Sequence, residues 1–167
     1  MDEDEFAELI RRHDRSLRSL AFRLLADRDR MDDALQDAYV KAFRARGRFR
    51  GASAPQTWLY RIVYNTCLDE LRRGRFRRHL PLDPALASAE QDPADAASGR
   101  AGLARALAAL PADQRAAVLL VDAEGFDYRG AAEVLGVEVG TLASRLSRAR
   151  AALRRALSPI AEGAENG

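Results

Sequence analysis

Asn65 and Asp69 stand four residues apart, with Arg61 before them and Arg72 and Arg73 after. On a helix, residues three and four apart share a face. The set then offers an amide and a carboxylate able to bond a base edge, among guanidiniums able to hold phosphate. A second set of this kind is Thr141, Ser144, Arg145, Ser147 and Arg148. A third group, Asp33, Gln36 and Asp37 with Asp32 beside them, is acidic and has no histidine near it. That is the wrong composition for a nucleophile–base pair or a mixed metal site. Two histidines and one cysteine, Cys67, leave no disulfide framework and no cysteine-rich metal centre. No glycine-rich phosphate loop of the nucleotide-hydrolysing kind is present. These residues point to nucleic-acid binding without catalysis, metal or cofactor.

Charge supports that reading through its distribution more than its total, which is +2 over 167 residues. Six arginines against two acids lie between Gly51 and His79, and five arginines with no acid lie between Arg145 and Arg155. Between them, Leu80 to Gly99 carries four acids, three prolines and no Lys or Arg. Two basic segments around an acidic one suggest two nucleic-acid contacts and a tether. No apolar run approaches the roughly 20 residues needed to span a bilayer. The acidic start, Met1 to Glu5, is unlike a secretory leader. A cytoplasmic protein without membrane insertion is expected.

The elements that must position these residues are helical, since Ala, Leu and Arg dominate the composition. Phe6, Leu9, Ile10, His13, Leu17, Leu20, Ala21, Leu24 and Leu25 mark one face of a first helix, broken at Ala26 to Asp29. A second helix runs from about Arg30 to Arg46, with Ala34, Leu35, Ala38, Tyr39, Ala42 and Phe43 on its inner stripe. A third opens on Ser53-Ala54-Pro55-Gln56, read as a capping box with Ser53 as N-cap, and stops at Gly74. Leu59, Ile62, Val63, Cys67 and Leu71 face inward; Cys67 is then an inert buried thiol. His13 packs, and His79 is exposed. Residues 80–99 read as a flexible linker. Beyond it, Leu103, Ala106, Leu107 and Leu110 form a short helix ended by Pro111, and another follows to Ala123.

The strongest local pattern runs from Tyr128 to Leu146. A short helix carries Ala131, Ala132 and Leu135. Gly136 supplies a left-handed turn, and Val137 plugs the core. A second helix from Gly140 or Thr141 to Leu157 buries Leu142, Leu146, Ala149 and Leu153. This is a helix-turn-helix, whose second helix enters the major groove. The plainer alternative is a helical hairpin with a solvated arginine face.

Gly140 to Arg150 resembles the DNA-reading end of the sigma-4 domain of the sigma-70 family. Leu110-Pro111-Ala112-Asp113-Gln114-Arg115 resembles the opening of that domain. Asp32 to Tyr39, and Phe49-Arg50-Gly51 through Thr57-Trp58-Leu59-Tyr60-Arg61-Ile62 to Arg73, resemble the sigma-2 domain. With only these two domains, the chain is similar to the extracytoplasmic-function group of RNA polymerase sigma factors. The resemblance implies an all-α fold of two small helical domains: sigma-2 over 5–78, an acidic flexible linker over 79–99, and a sigma-4 helix-turn-helix over 100–157.

It also implies partners: core RNA polymerase, through its β′ clamp helices and β flap, promoter DNA, and an anti-sigma factor. Asp33, Leu35, Gln36, Asp37 and Tyr39 match the clamp-binding positions. Asn65 and Asp69 match base-facing positions for the −10 element. Arg61, Arg72 and Arg73 would hold phosphate. The loop from Gly51 through Ser53 to Gln56 matches the segment that captures a flipped base. Trp58 and Tyr60 either stack on an opened base or pack in the core. Ser144, Ser147 and Arg148 match −35 base-reading positions, with Thr141 and Arg145 on the backbone. Ala143 stands where a Lys or Arg is usual, and Pro55-Gln56 replaces a commoner aromatic. The linker's acids either imitate phosphate in a basic channel of the polymerase or form a plain tether. Two other classes fit a helix-turn-helix: a stand-alone regulator binding paired half-sites, and a DNA-modifying enzyme. The latter would need a catalytic cluster that these residues do not supply.

Overall fold

Asp2 starts the first helix with a reciprocal cap. Its carboxylate accepts from the Glu5 N–H at 2.8 Å, and its own N–H donates to Glu5 Oε2 at 2.9 Å. The helix, α1 (Glu3–Leu25), ends at Ala26, whose φ of 55° is left-handed although it is not glycine. Asp27 then caps α2 (Arg28–Ala45) by accepting from the Arg30 N–H at 3.0 Å. Two residues therefore make the whole turn between these helices. A 3₁₀ turn at Arg46–Arg48 leads toward α3 (Pro55–Arg77). The computed structural model describes residues 1–77 and 101–165, with side chains through 74 and from 101 to 158. The expected linker, 79–99, and His79 lie outside the described residues.

The start and end of α3 both differ from expectation. Its first internal bond runs from the Trp58 N–H to the Ala54 carbonyl at 3.0 Å, so Ala54, and not Ser53, is the N-cap. Pro55 then takes the first helical position, where its missing N–H costs nothing. The helix also runs through Gly74 to Arg77. Gly74 is no stop because the Arg30 guanidinium lies where its Cβ would be. That guanidinium donates to the Glu70 carbonyl at 2.8 Å and pairs with Glu70 Oε1 at 3.3 Å. Glycine here admits a cross-brace between α2 and α3.

The second half of the chain folds as α4 (Ala101–Ala109), α5 (Ala112–Val118), α6 (Tyr128–Leu135) and α7 (Val139–Glu165). A π-helical turn, Leu119–Ala123, extends α5. Asp127 caps α6 through the Gly130 N–H at 2.7 Å. Gly136, at φ +67°, makes the left-handed turn before α7, as its type and spacing require. Among the described residues there are seven α-helices and no strand. No helix among them is long and apolar enough to cross a membrane.

Apolar stripes explain the packing. Leu17, Leu20, Leu24, Leu35, Leu59 and Val63 fill the space among α1, α2 and α3. Leu120, Val134, Leu142, Leu146 and Ala149 do the same among α5, α6 and α7. Each fully buried Leu contributes roughly 1.5–3 kcal/mol relative to exposure. The two halves also pack on each other: α3 lies against α6, and α1 against α4 and α5.

Candidate nucleic-acid interface

The outer face of α3 collects the residues expected there. Trp58, Arg61, Asn65, Asp69 and Arg72 follow one stripe, with Arg73 beside it. Arg61, Asn65, Arg72 and Arg73 are exposed. Asp69 is half-buried and lies 3.7 Å from Arg72. Trp58 is half-buried against the Phe49 ring, with centroids 5.3 Å apart, so it is partly a packing residue. Tyr60 is 1% exposed, which removes it as a base-stacking platform in this arrangement. Gly51, at φ +74°, and the half-buried Ser53 belong to the loop before α3. A cleft of about 560 Å³ opens there, lined by Glu5, Glu8, Leu9, Phe49, Gly51 and Pro55. Apolar faces, the carboxylates of Glu5 and Glu8 and the guanidinium of Arg12 meet in it beside the loop.

On α7, Thr141, Ser144, Ser147 and Arg148 are exposed and hydroxyl-rich, opposite the buried Leu142, Leu146 and Ala149. Arg145 is turned partly inward. Its side chain is 26% exposed and its Nε lies 3.5 Å from Asp113. Arg150 grips Asp122 with two bonds, at 3.0 and 2.7 Å. That pairing holds the Asp122 carboxyl below its usual range. Two of the five arginines between 145 and 155 thus already face carboxylates within the chain.

The acidic edge of α2 is mixed. Asp33 and Gln36 are exposed, and Asp37 pairs with Lys41 at 2.9 Å. Leu35 is only 2% exposed and belongs to the core, so it cannot present a surface to a partner. Its place in the Ala34-Leu35-Ala38-Ala42 stripe carried that signal. Tyr39 is half-buried and donates to Asp14 Oδ1 at 2.7 Å. Burial, then Asp14, pushes its hydroxyl above the ordinary tyrosine value. Phe43, expected inside, is 39% exposed; it leans edge-on against Phe6 and lies under the Arg46 guanidinium. With Val40, 47% exposed, it extends the acidic edge as an apolar one that sequence reasoning missed.

Cys67 is buried as expected, and burial raises its thiol to about 12. His13 packs edge-on to Tyr60, with burial, then Arg12, lowering its pKa.

Two separate stretches of the chain match one family in the expected order. Residues 9–77 match sigma-70 region 2, and residues 100–153 match sigma-70 region 4. The chain belongs to the sigma-70 family. It is 42% identical over 164 residues to the ECF RNA polymerase sigma factor SigM of Mycobacterium tuberculosis, covering 97% of this chain and 82% of that one. It is 35% identical to the RNA polymerase sigma-H factor of Pseudomonas aeruginosa, covering 95% and 89%. Among solved structures, the sigma factor RpoE of Bartonella quintana, in complex with the anti-sigma factor NepR, superposes with a TM-score of 0.80. That match has 32% identity and covers 92% of this chain and 97% of that one. CnrH in complex with the cytosolic domain of CnrY gives a TM-score of 0.72 at 26% identity, covering 95% and 90%. The protein is thus an RNA polymerase sigma factor, acting in transcription initiation.

Proposed function

We propose that region 2, over 5–78, binds core polymerase and opens the −10 element while region 4, over 100–157, reads the −35 element. The observation that carries this is the pairing of two exposed polar stripes, one on α3 and one on α7, each on a helix anchored by its own apolar core. Asn65 and Asp69 read bases; Arg61, Arg72 and Arg73 hold phosphate, adding affinity that weakens with salt. Ser144, Ser147 and Arg148 read the major groove, with Thr141 and Arg145 on the backbone. The cleft beside Gly51 and Ser53 accepts the flipped base, with Trp58 supporting its wall. Unstacking that base costs a few kcal/mol, which stacking and phosphate contacts offset without a nucleotide.

Asp33, Gln36, Asp37 and Tyr39, continued by Val40 and Phe43, face the β′ clamp helices, and region 4 meets the β flap. Apolar anchors beside charged groups suit such a contact, because charge fixes register while buried apolar area supplies affinity. The factor has no catalytic step of its own and works with polymerase in the cytoplasm. RpoE and CnrH were solved with NepR and CnrY bound, and on that ground an anti-sigma partner is proposed here too.

The test is transcription from a promoter pool by core polymerase plus the purified chain. Asn65→Ala should weaken promoter opening and leave polymerase capture intact. Equal loss of both, or no capture of core polymerase by the wild type, sinks the proposal.

A further inference from the structure

Apolar packing on α3 thins toward its far end. Cys67 is its last buried residue among those described, and Leu68 and Leu71 are only partly covered. Asp69, Arg72 and Arg73, assigned above to the −10 element, all lie beyond Cys67. Segments with few buried contacts open locally at little cost. Gly74, next to Arg73, weakens the helix further, because glycine loses more freedom on folding than alanine does. The helix nevertheless continues through Gly74 to Arg77.

A long-range grip holds this stretch. The Arg30 guanidinium, near the start of α2, donates to the Glu70 carbonyl at 2.8 Å, and its Nε pairs with Glu70 Oε1 at 3.3 Å. A carbonyl has two lone pairs, so Glu70 can keep a helical bond from the Gly74 N–H and accept from Arg30 as well. The two side chains are largely covered, at 16% and 18% exposure, so Arg30 is not placed to touch DNA itself. A Cβ at position 74 would collide with the end of the guanidinium. Asp69 sits one helical step, about 100°, from Glu70, and Arg73 one step from Gly74. Fixing Glu70 and Gly74 against α2 therefore fixes the direction in which these reading residues point.

We propose that Arg30 is a positioning residue for promoter opening: through the gap left by Gly74 it clamps the Glu70 carbonyl and holds Asp69, Arg72 and Arg73 in register on the −10 element. This rests on the assignment of α3 to that element. Gly74 serves as the socket, and the bond it admits offsets what glycine costs the helix.

Position 74 separates this role from plain helix stability. Alanine favours a helix over glycine, yet Gly74→Ala expels the guanidinium, whose flexible end can swing aside without disturbing the fold. Opening of a promoter drawn from the transcribed pool is followed by permanganate reactivity of its −10 thymines, with core polymerase saturated by the full chain. Capture of core polymerase is measured beside it. Gly74→Ala and Arg30→Ala should each lower opening roughly 3- to 10-fold with capture unchanged. The double variant should open no worse than Arg30→Ala alone, because both changes break one contact. If Arg30→Ala loses helical content, Gly74→Ala alone is read. Wild-type opening by Gly74→Ala, losses that multiply in the double variant, or capture that falls in step with opening overturns the proposal. Asn65→Ala is run in parallel. If it opens the promoter as wild type does, the assignment of α3 fails; if it loses opening while Gly74→Ala does not, the clamp alone is rejected.

Discussion

The helices α3 and α7 both show a polar stripe to solvent, yet they are held in different ways. The far end of α3 is braced through Gly74, where Arg30 reaches Glu70 from α2. Near its start, Tyr60 is engaged by Glu124 of the other half. The face of α7 is open, and its fixing bonds, Arg145–Asp113 and Arg150–Asp122, stay within its own domain. A reading helix can thus be stiffened by its own domain or by a neighbour. Only the second kind of support depends on contact between the two halves.

The largest expected effect tests whether the two cores are independent. Leu146 is 1% exposed, and Leu146→Ala should cost about 2–5 kcal/mol through lost burial and a cavity. In thermal unfolding this should lower the transition of region 4. A matching drop in region 2 would show the cores to be one cooperative unit and erase the contrast.

Arg30→Ala comes next. The pair is only 16% and 18% exposed, so Glu70 would be left half-buried without its partner, at a cost of about 1–3 kcal/mol. Denaturant titration of the full chain should show the loss. A null result would mean that the brace through Gly74 is ornamental.

On α7, Arg148→Ala should remove about 1–3 kcal/mol of base discrimination at one −35 position. Arg150→Ala should leave that preference unchanged, since Arg150 is occupied with Asp122. Promoter-variant profiling separates the two; identical profiles would undo the distinction drawn within this helix.

The smallest effect is a pH dependence. Burial raises the Glu124 carboxyl above its ordinary value, against the opposing bonds from Tyr60 and Ser16. A raised value means that the folded form holds the proton more tightly than an unfolded chain. The proton's contribution to stability is complete below the ordinary carboxyl value and fades as pH rises through the raised one. His13, across the Tyr60 ring, works the other way, because burial and then Arg12 lower its pKa and disfavour its charged form. Arg23 and Glu124 line one cleft of about 290 Å³. Hydrogen exchange along α1, followed across the mildly acidic range, should lose its Glu124-linked component in Glu124→Gln. If the profile is the same in both, the carboxyl does not titrate with folding.

Much of this architecture was readable from periodicity. The inner stripes of α1 and α7 and the Gly136 turn stand where apolar spacing and backbone freedom require them. The errors came from contacts that leave no local trace. Gly74 looks like a helix stop until Arg30, 44 residues earlier, is seen filling its space. For Tyr60 the sequence left stacking and packing both open, and Glu124 and Phe126, brought beside it from the other half, decide for packing. Arg115 belongs to a recognisable motif, but its grip on the end of α1 spans 91 residues and has no sequence period. Leu35 was a different kind of error: its stripe already placed it inside, and only the family resemblance of its segment suggested a contact.

The turn between α1 and α2 has a consequence of its own. Ala26 and Asp27 are the only residues in it, and each is committed, one to a left-handed backbone and the other to a cap. Deleting either would swing α2 by about 100° about its axis, the angular step of one helical residue. Asp33 and Gln36 would then point away from the side they now occupy, and Ala38 and Ala42 would leave the core. Loop length here works as a phase setting: it decides which way the sigma factor's acidic flank looks.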